Sequence, residues 1–433
     1  MKNSLPAGLR ARLFFYNAAF PFVLIVMLPG LLARMFRRGQ FRRKFAQRFA
    51  RYDADVRARL AAKNWTWIHS ISVGETLLAL KLARKMKELD PALNIVLSTT
   101  TSTGFAVAEK ASNEWLEPIY NPLDAPLFVR RALDAIRPQR LIFIEAIWPN
   151  LLALAKQRGT PTSLIARLSP RSEGRFRKFR FFTAPIFRAL DLICVQEPED
   201  IARWESLGAP RDHIHMTGNI KFDETLHEPR RIAEFRELLT RMGVKTGAPI
   251  LLAGSTFPGE EKIVAEIFRE LRRDFPDLFL IIVPRHVERT DQAAADVIRA
   301  GISFALRTAP EPRPADCLLV NTTGELRDWY HLATVVFIGK SLTAHGGQNP
   351  VEPALAGKPV VFGPHMENFR PIVAQWLARD AAIQVGDAAA LKHELARLLA
   401  DATLRETLAT RARAVLTAHE GATERTARLL LGK

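Results

Sequence analysis

Apolar residues fall along this chain in short unbroken runs, each closed by a polar turn and followed by a stretch of helical periodicity. WTWIHSISVGE, residues 65 to 75, is such a run ending in a Gly-Glu turn, and TLLALKLARKMKELD behind it has the spacing of an amphipathic helix. NIVLSTTTSTG (94–104), RLIFIEAIWPN (140–150), PTSLIARLSPRS (161–172) and DLICVQ (191–196) continue the series. Runs without polar alternation predict strands covered on both faces, and helices between them predict a parallel sheet. A second series begins after TGNIKFDE, near residue 225: PILLAGSTFPGEE, LFLIIVPRH, DCLLVNTTGEL, VVFIGKSL, PVVFGPH and AAIQV are six strand candidates. The alanine-rich end, from Ala388 to Lys433, predicts helices that either pack the second domain or return to the first.

Length agrees with two domains, since 433 residues exceed the size at which one hydrophobic core stops growing. The apolar fraction, 48%, excludes a disordered chain. Two distant cysteines, Cys194 and Cys317, point to a reducing compartment and away from a disulfide scaffold or zinc cluster. A net charge of +17 calls for a polyanionic neighbour. The run LFFYNAAFPFVLIVMLPGLLA (13–33), followed by RMFRRGQFRRKFAQRFARY, predicts an N-terminal membrane anchor with a basic segment beside it, over residues 1–45. No zinc-finger spacing or basic-aromatic interleaving marks a nucleic-acid partner, so an anionic membrane accounts for the charge.

Candidate chemistry clusters just after the strands, where open parallel sheets bind ligands. In the first half Glu75 follows the strand containing His69. In an apolar cleft it is a candidate general base, and as a helix N-terminal acid it is equally a dipole partner. Arg167, Arg171 and Arg175, with Lys178, form a positive series suited to phosphate or carboxylate. In the second half Ser255 lies in GSTFPGEE, Arg285 and His286 close VPRH, Gly324 and Glu325 lie in TTGEL, and Gly346, Gly347, Asn349 and Glu352 lie in HGGQNPVEP. Four polar turns after four strands suit a nucleotide held by backbone N–H groups at helix starts. FIGKSL lacks the upstream glycine of a phosphate loop, so an ATPase is disfavoured. His286, His345 and His365 have no short-spacing pairing that predicts a metal site.

Taken in order, SVGE, WPN, ARLSPRSEGRF, TGNIKFD, VPRH, TTGEL, GGQNPVEPA and GPHMENF resemble the 3-deoxy-D-manno-octulosonic acid (Kdo) transferases of lipopolysaccharide assembly, over nearly the whole chain. The resemblance implies an α/β GT-B fold: two Rossmann-like domains facing an interdomain cleft, with an N-terminal membrane anchor. Residues 46–218 would form the acceptor domain and 219–415 the donor domain, with 416–433 a C-terminal helix for which a return to the first domain stays one of the two options. It implies an inverting, metal-independent transfer of Kdo from CMP-Kdo to a lipid A precursor at the cytoplasmic face of the inner membrane, with no cofactor. By motif position Glu75 corresponds to the family's proposed base, and Arg285 lies near donor phosphate or the Kdo carboxylate. Gly346, Gly347, Asn349 and Glu352 belong to the nucleotide loop, with Glu145, Lys221 and Gln348 in supporting places. The chain departs from the pattern in carrying Glu145 alone before WPN, Gln348 for a common histidine, Asn321 for a usual aspartate and Lys340 for a usual glycine. The alternatives are a GT-B transferase of another nucleotide sugar, such as UDP-GlcNAc, and a non-catalytic lipid-binding protein on the membrane.

Overall fold

A computed structural model describes residues 7–38, 44–223, 229–309, 311 and 313–433. The chain divides into two compact units, Met1–Asp223 with Gly421–Lys433, and Glu224–Glu420.

Among the described residues the first unit holds one seven-stranded sheet. Its strands are β1 (Thr66–Ser70), β2 (Ile95–Thr99), β3 (Leu116–Tyr120), β4 (Arg140–Ile144), β5 (Thr162–Ile165), β6 (Leu192–Val195) and β7 (Ile214–Met216). They pair in parallel in the order β3-β2-β1-β4-β5-β6-β7. The second unit repeats the plan with β8 (Ile250–Thr256), β9 (Phe279–Pro284), β10 (Phe304–Leu306), β11 (Cys317–Leu319), β12 (Val335–Ile338), β13 (Val360–Phe362) and β14 (Ile383–Gln384). Its order is β10-β11-β9-β8-β12-β13-β14. Central strands such as β1 and β2 are buried at every residue, which is why their sequences run apolar without alternation. Each chain path winds to one side of its first strand and then to the other. The reversal falls between β1 and β4 in one sheet and between β8 and β12 in the other, where such folds bind ligands.

Three strands are not announced by the apolar pattern: β3, β7 and β10. All three lie at sheet edges. An edge strand pairs on one side only, so a short or interrupted segment suffices, and LEPIY tolerates Pro118 for that reason.

The N-terminal expectation needs correction. Among the described residues no helix is long and apolar enough to cross a membrane. Residues Ala7–Arg38 form one helix, but part of its apolar content faces protein. Leu9 is buried in the core of the first unit, with Leu13 packed against it. Asn17 exchanges side-chain hydrogen bonds with Asn150 at 2.7 and 3.2 Å, and Arg12 donates to the Phe181 carbonyl at 2.6 Å. A run that reads as lipid-facing in sequence therefore supplies a docking face to the domain. Phe14, Phe15, Phe22, Ile25 and Val26 on this helix are exposed. Residues 39–43 of the basic segment lie outside the described residues.

The closing helix, Ala422–Leu431, belongs to the first unit and packs on the helix Val73–Leu89 that begins with the SVGE turn. Asp223 fixes its start, accepting hydrogen bonds from Gly421 N–H at 2.7 Å and Thr423 N–H at 2.6 Å. The two places where the chain passes between units are thereby tied by one carboxylate. Loss of a cap of this kind costs about 1–2 kcal/mol. Asp223→Ala is expected to lower the melting temperature and to make the C-terminal helix the first site of limited proteolysis.

Candidate active site

In the first unit the residues nearest the sheet reversal converge on a cavity of about 590 Å³. Glu75, Glu145, Arg167 and Arg175 line it above an apolar floor that includes Phe176, Phe187 and Trp204. The floor is rigid: Phe187 meets Phe176 and Trp204 edge-on, with ring centroids 5.3 and 5.0 Å apart. The candidate Arg171 lies on the exposed first turn of the helix Pro170–Lys178 and is not part of the cavity lining.

Glu75 stands in the first turn of the helix after β1. Ser72 caps that helix, its hydroxyl accepting from the Glu75 N–H at 3.4 Å and donating to Glu75 Oε1 at 3.0 Å. The Ile71 N–H donates to Oε2 at 2.8 Å. This is a capping-box arrangement, so the dipole-partner role of Glu75 is real. The carboxylate's two oxygens offer about four acceptor sites, and the bonds from Ile71 and Ser72 leave part of that capacity free. Partial burial raises the Glu75 pKa above its ordinary value, and the charge of Glu145 adds to the rise; the bonds from Ile71 and Ser72 oppose it. A carboxylate with spare acceptor capacity and a raised pKa suits proton abstraction near neutrality.

Glu145 directly follows β4 in a left-handed conformation, φ 60°, which non-glycine residues adopt at a cost. Arg167 stands 3.6 Å from its carboxylate. Lys221 belongs to the same charged group. Although its surface is largely open to solvent, its pKa is lowered by desolvation and then by Arg167, while Glu145 pulls the other way.

The loop carrying Glu145 is held from below. Trp148 donates its indole N–H to His69 Nε2 at 2.6 Å, and His69 Nδ1 lies 3.0 Å from the Ser98 hydroxyl. Burial drives the His69 pKa down to about 3, so the ring is neutral. Because Nε2 accepts from Trp148, the ring proton sits on Nδ1 and is donated to Ser98. Asp124 secures the other end, accepting from the N–H groups of Asn150 at 3.0 Å and Leu151 at 2.9 Å. Its pKa is raised to about 6, chiefly by burial and against the pull of those two N–H groups and of Tyr16. Neither His69 nor Asp124 touches the cavity; both position the loop that does.

In the second unit the predicted turns gather along one sheet edge. Ser255 ends β8 with φ 56°, and Lys340 follows β12 with φ 57°. The left-handed geometry at 340 explains why glycine is the usual residue there; the Lys340 ammonium lies over the Phe257 ring, 5.0 Å from its centroid. A Cβ on Gly339 would stand 2.3 Å from the Ser255 carbonyl oxygen, so β8 and β12 can close only over glycine. Glu260, fully buried, organises this edge. Its carboxylate accepts from four backbone N–H groups: Phe257 at 2.8 Å, Lys340 at 2.7 Å, and Ser341 and Leu342 at 3.0 Å each. Glu261, equally buried, accepts from Arg289 at 2.9 and 3.2 Å and from the Thr256 hydroxyl at 2.8 Å.

Arg285 and His286 are exposed beyond β9, and the His286 ring meets Phe257 edge-on at 5.9 Å. Gly346 and Gly347 have φ 111° and 69°; the Gly347 N–H is bound to the Lys340 carbonyl, and that of Gln348 to Gly339. Asn349 turns its side-chain carbonyl to the Val351 N–H at 3.0 Å, starting the helix that carries Glu352. Glu352 pairs with Arg327 at 2.8 Å. Gly324 takes a positive φ in its turn, whereas the buried carboxylate of Glu325 pairs with the part-exposed Arg231 at 2.5 Å and with Arg307 at 3.1 Å. Sequence reading missed the aromatic floor, whose members are far apart in the chain and have no common motif.

The family described as 3-deoxy-D-manno-octulosonic-acid transferase (kdotransferase) matches residues 43–224. The chain is 31% identical to the 3-deoxy-D-manno-octulosonic acid transferase of Haemophilus influenzae over 94% of this chain and 95% of the relative. It is 34% identical to the Bordetella pertussis protein of the same name over 90% of this chain and 91% of that one. Among solved structures, Acinetobacter baumannii MurG superposes with a TM-score of 0.54 at 13% identity, over 86% of this chain and all of that one. That likeness concerns the fold alone.

Two substitutions test the supports. Glu260→Gln replaces an acceptor of four N–H groups with an amide that turns a donor towards some of them, and should destabilise the protein by about 3 kcal/mol in chemical denaturation. Trp148→Phe keeps the ring but leaves His69 Nε2 without its donor, at a cost of about 2 kcal/mol by the same measurement.

Proposed function

The chain belongs to the 3-deoxy-D-manno-octulosonic acid transferase family and is a glycosyltransferase; from that premise we propose that it moves Kdo from CMP-Kdo to a lipid A precursor, with inversion and without a catalytic metal. The observation that carries the reading is Glu75, a carboxylate of raised pKa at the sheet reversal, in a cavity it shares with Glu145, Arg167 and Arg175.

In this reading the acceptor binds the first unit. Arg167 and Arg175 take its phosphate groups, and the aromatic floor takes apolar surface. Glu75 removes the proton from the acceptor hydroxyl as that oxygen attacks the anomeric carbon of Kdo. The bond from that carbon to the CMP phosphate breaks in the same step, and CMP leaves with the electron pair. One displacement inverts the anomeric centre.

The donor is assigned to the edge of the second sheet. Ser255 lies at the end of β8, and Arg285, His286, Gly324, Gly346, Gly347, Gln348 and Asn349 lie in the loops that follow the strands. Arg285 and helix N-termini neutralise charge on the departing phosphate, which is work a metal ion does in other transferases. Glu352, already paired with Arg327, is available to a ribose hydroxyl through its remaining lone pairs. Lys221 steadies Glu145 and the acceptor charge. A chain of net charge +17 is drawn to an anionic bilayer, which supports action at the cytoplasmic face of the inner membrane.

The test is CMP release from CMP-Kdo with tetra-acylated, bis-phosphorylated lipid A precursor, with the lipid product weighed. Glu75→Gln should lower turnover by roughly 100-fold or more while CMP affinity stays within about 2-fold. Turnover should persist in excess EDTA. Retained turnover in Glu75→Gln, or UDP release in place of CMP, would overturn the reading.

The pH dependence has a defined sign. A base works only when ionised, so kcat/KM should rise with pH through the Glu75 pKa, above the ordinary carboxylate range. Glu145 raises that pKa by repulsion, and Glu145→Gln should shift the acid limb to lower pH whatever it does to the plateau.

A further inference from the structure

We propose that His345, His365 and Glu367 form a binding site for a divalent transition metal of the zinc class, separate from the transfer chemistry. Spacing along the sequence argued against metal ligation at these histidines, because twenty residues separate the two. The fold removes that separation. Their rings pack with centroids 4.0 Å apart, and both Nδ1 atoms face one carboxylate oxygen of Glu367.

The spacing of the donor atoms suits a shared ion. His345 Nδ1 lies 3.2 Å from Glu367 Oε1 and His365 Nδ1 lies 3.6 Å from it, and the ligand atoms of all three side chains fall within 4.8 Å of one another. His345 and Glu367 are within hydrogen-bonding distance, at the long end of the range for a charge-assisted pair, and His365 Nδ1 lies beyond it. Around zinc, bonds of roughly 2.0–2.1 Å in a tetrahedron put neighbouring ligand atoms roughly 3.3–3.4 Å apart. The two distances bracket that edge length.

The two loops are fixed before any ion arrives. The His365 N–H donates to the Ser341 carbonyl and the Asn368 N–H to the Gly346 carbonyl, each at 3.0 Å. The second oxygen of Glu367 accepts from the Gly346 N–H at 2.6 Å, which leaves Oε1 directed at the histidines. A Cβ on Gly363 would stand 2.2 Å from the Ser341 carbonyl oxygen, so the two segments meet at backbone contact. A chelate laced in this way loses little freedom on binding. Two imidazoles and one carboxylate favour zinc, copper or nickel over magnesium or calcium, and three protein ligands leave one position for water or an anionic oxygen. Because His345 directly precedes Gly346, a bound ion would pin the glycine turn to the 365–367 segment.

The experiment uses the full chain without a histidine tag, stripped with EDTA and desalted, and titrated calorimetrically with zinc chloride alone. One Zn²⁺ per chain should bind with Kd at or below about 10 µM, with a rise in melting temperature. His345→Ala, a change at an exposed side chain, and His365→Ala should each weaken binding by roughly 10-fold or more. Magnesium chloride should give no saturable heat. Cobalt(II) offers a second reading, since it should develop the intense visible bands of tetrahedral coordination in the parent protein and lose them in His345→Ala. Zinc binding weaker than about 10 µM, or unchanged in the folded His345→Ala protein, would overturn the proposal. So would a pale octahedral cobalt spectrum.

Discussion

Backbone N–H groups released where a parallel strand turns into a helix must find acceptors, and most of this structure's polar architecture answers that demand. In the second unit Glu260 accepts four of them and so holds the loops after β8 and β12 against one another. In the first unit Asp124 takes the N–H groups of Asn150 and Leu151, and Glu75 takes that of Ile71. An unmet N–H in such a place costs as much as a lost hydrogen bond, so these carboxylates are as much part of the backbone plan as the strands.

The same demand sorts the acids by function. Glu260 and Glu261 are enclosed and fully engaged, and Asp124 is buried beneath the loop it caps. Glu75 is different because its hydrogen bonds from Ile71 and Ser72 leave acceptor capacity facing a cavity, while Glu145 is placed there by a strained backbone. Strain at the end of a central strand, next to a cavity lined by arginines, is where a fold concentrates chemistry. The neutral His69 under Trp148 and the capped start of the Pro149–Gln157 helix keep that strained turn in one shape.

Much of the plan was legible in the chain. Unbroken apolar runs gave the central strands, because a strand covered on both faces has no position for a polar residue. The edge strands β3, β7 and β10 escaped notice because one-sided pairing relaxes that requirement. Position after the strands and in the motifs brought Glu75, Glu145, Arg167 and Arg175 forward, and these four line one cavity. Arg171 lies outside its lining and Glu325 is occupied by Arg231 and Arg307. The N-terminal apolar run was misjudged for a physical reason: hydropathy counts apolar residues without saying what they face, and Leu13 and Asn17 of the run face the domain.

What the sequence determined by itself was therefore the local and periodic part: the alternation of strands and helices, the strand ends at which polar residues collect, and the glycines at 346 and 347 that only a left-handed turn requires. Tertiary structure alone decided which polar groups meet. The four N–H groups on Glu260 come from two loops some eighty residues apart, the aromatic floor joins residues from three helices, and His345 reaches His365 and Glu367 only across two laced turns. Such encounters follow from the order of strands in a sheet, and strand order is set by the packing of the whole chain.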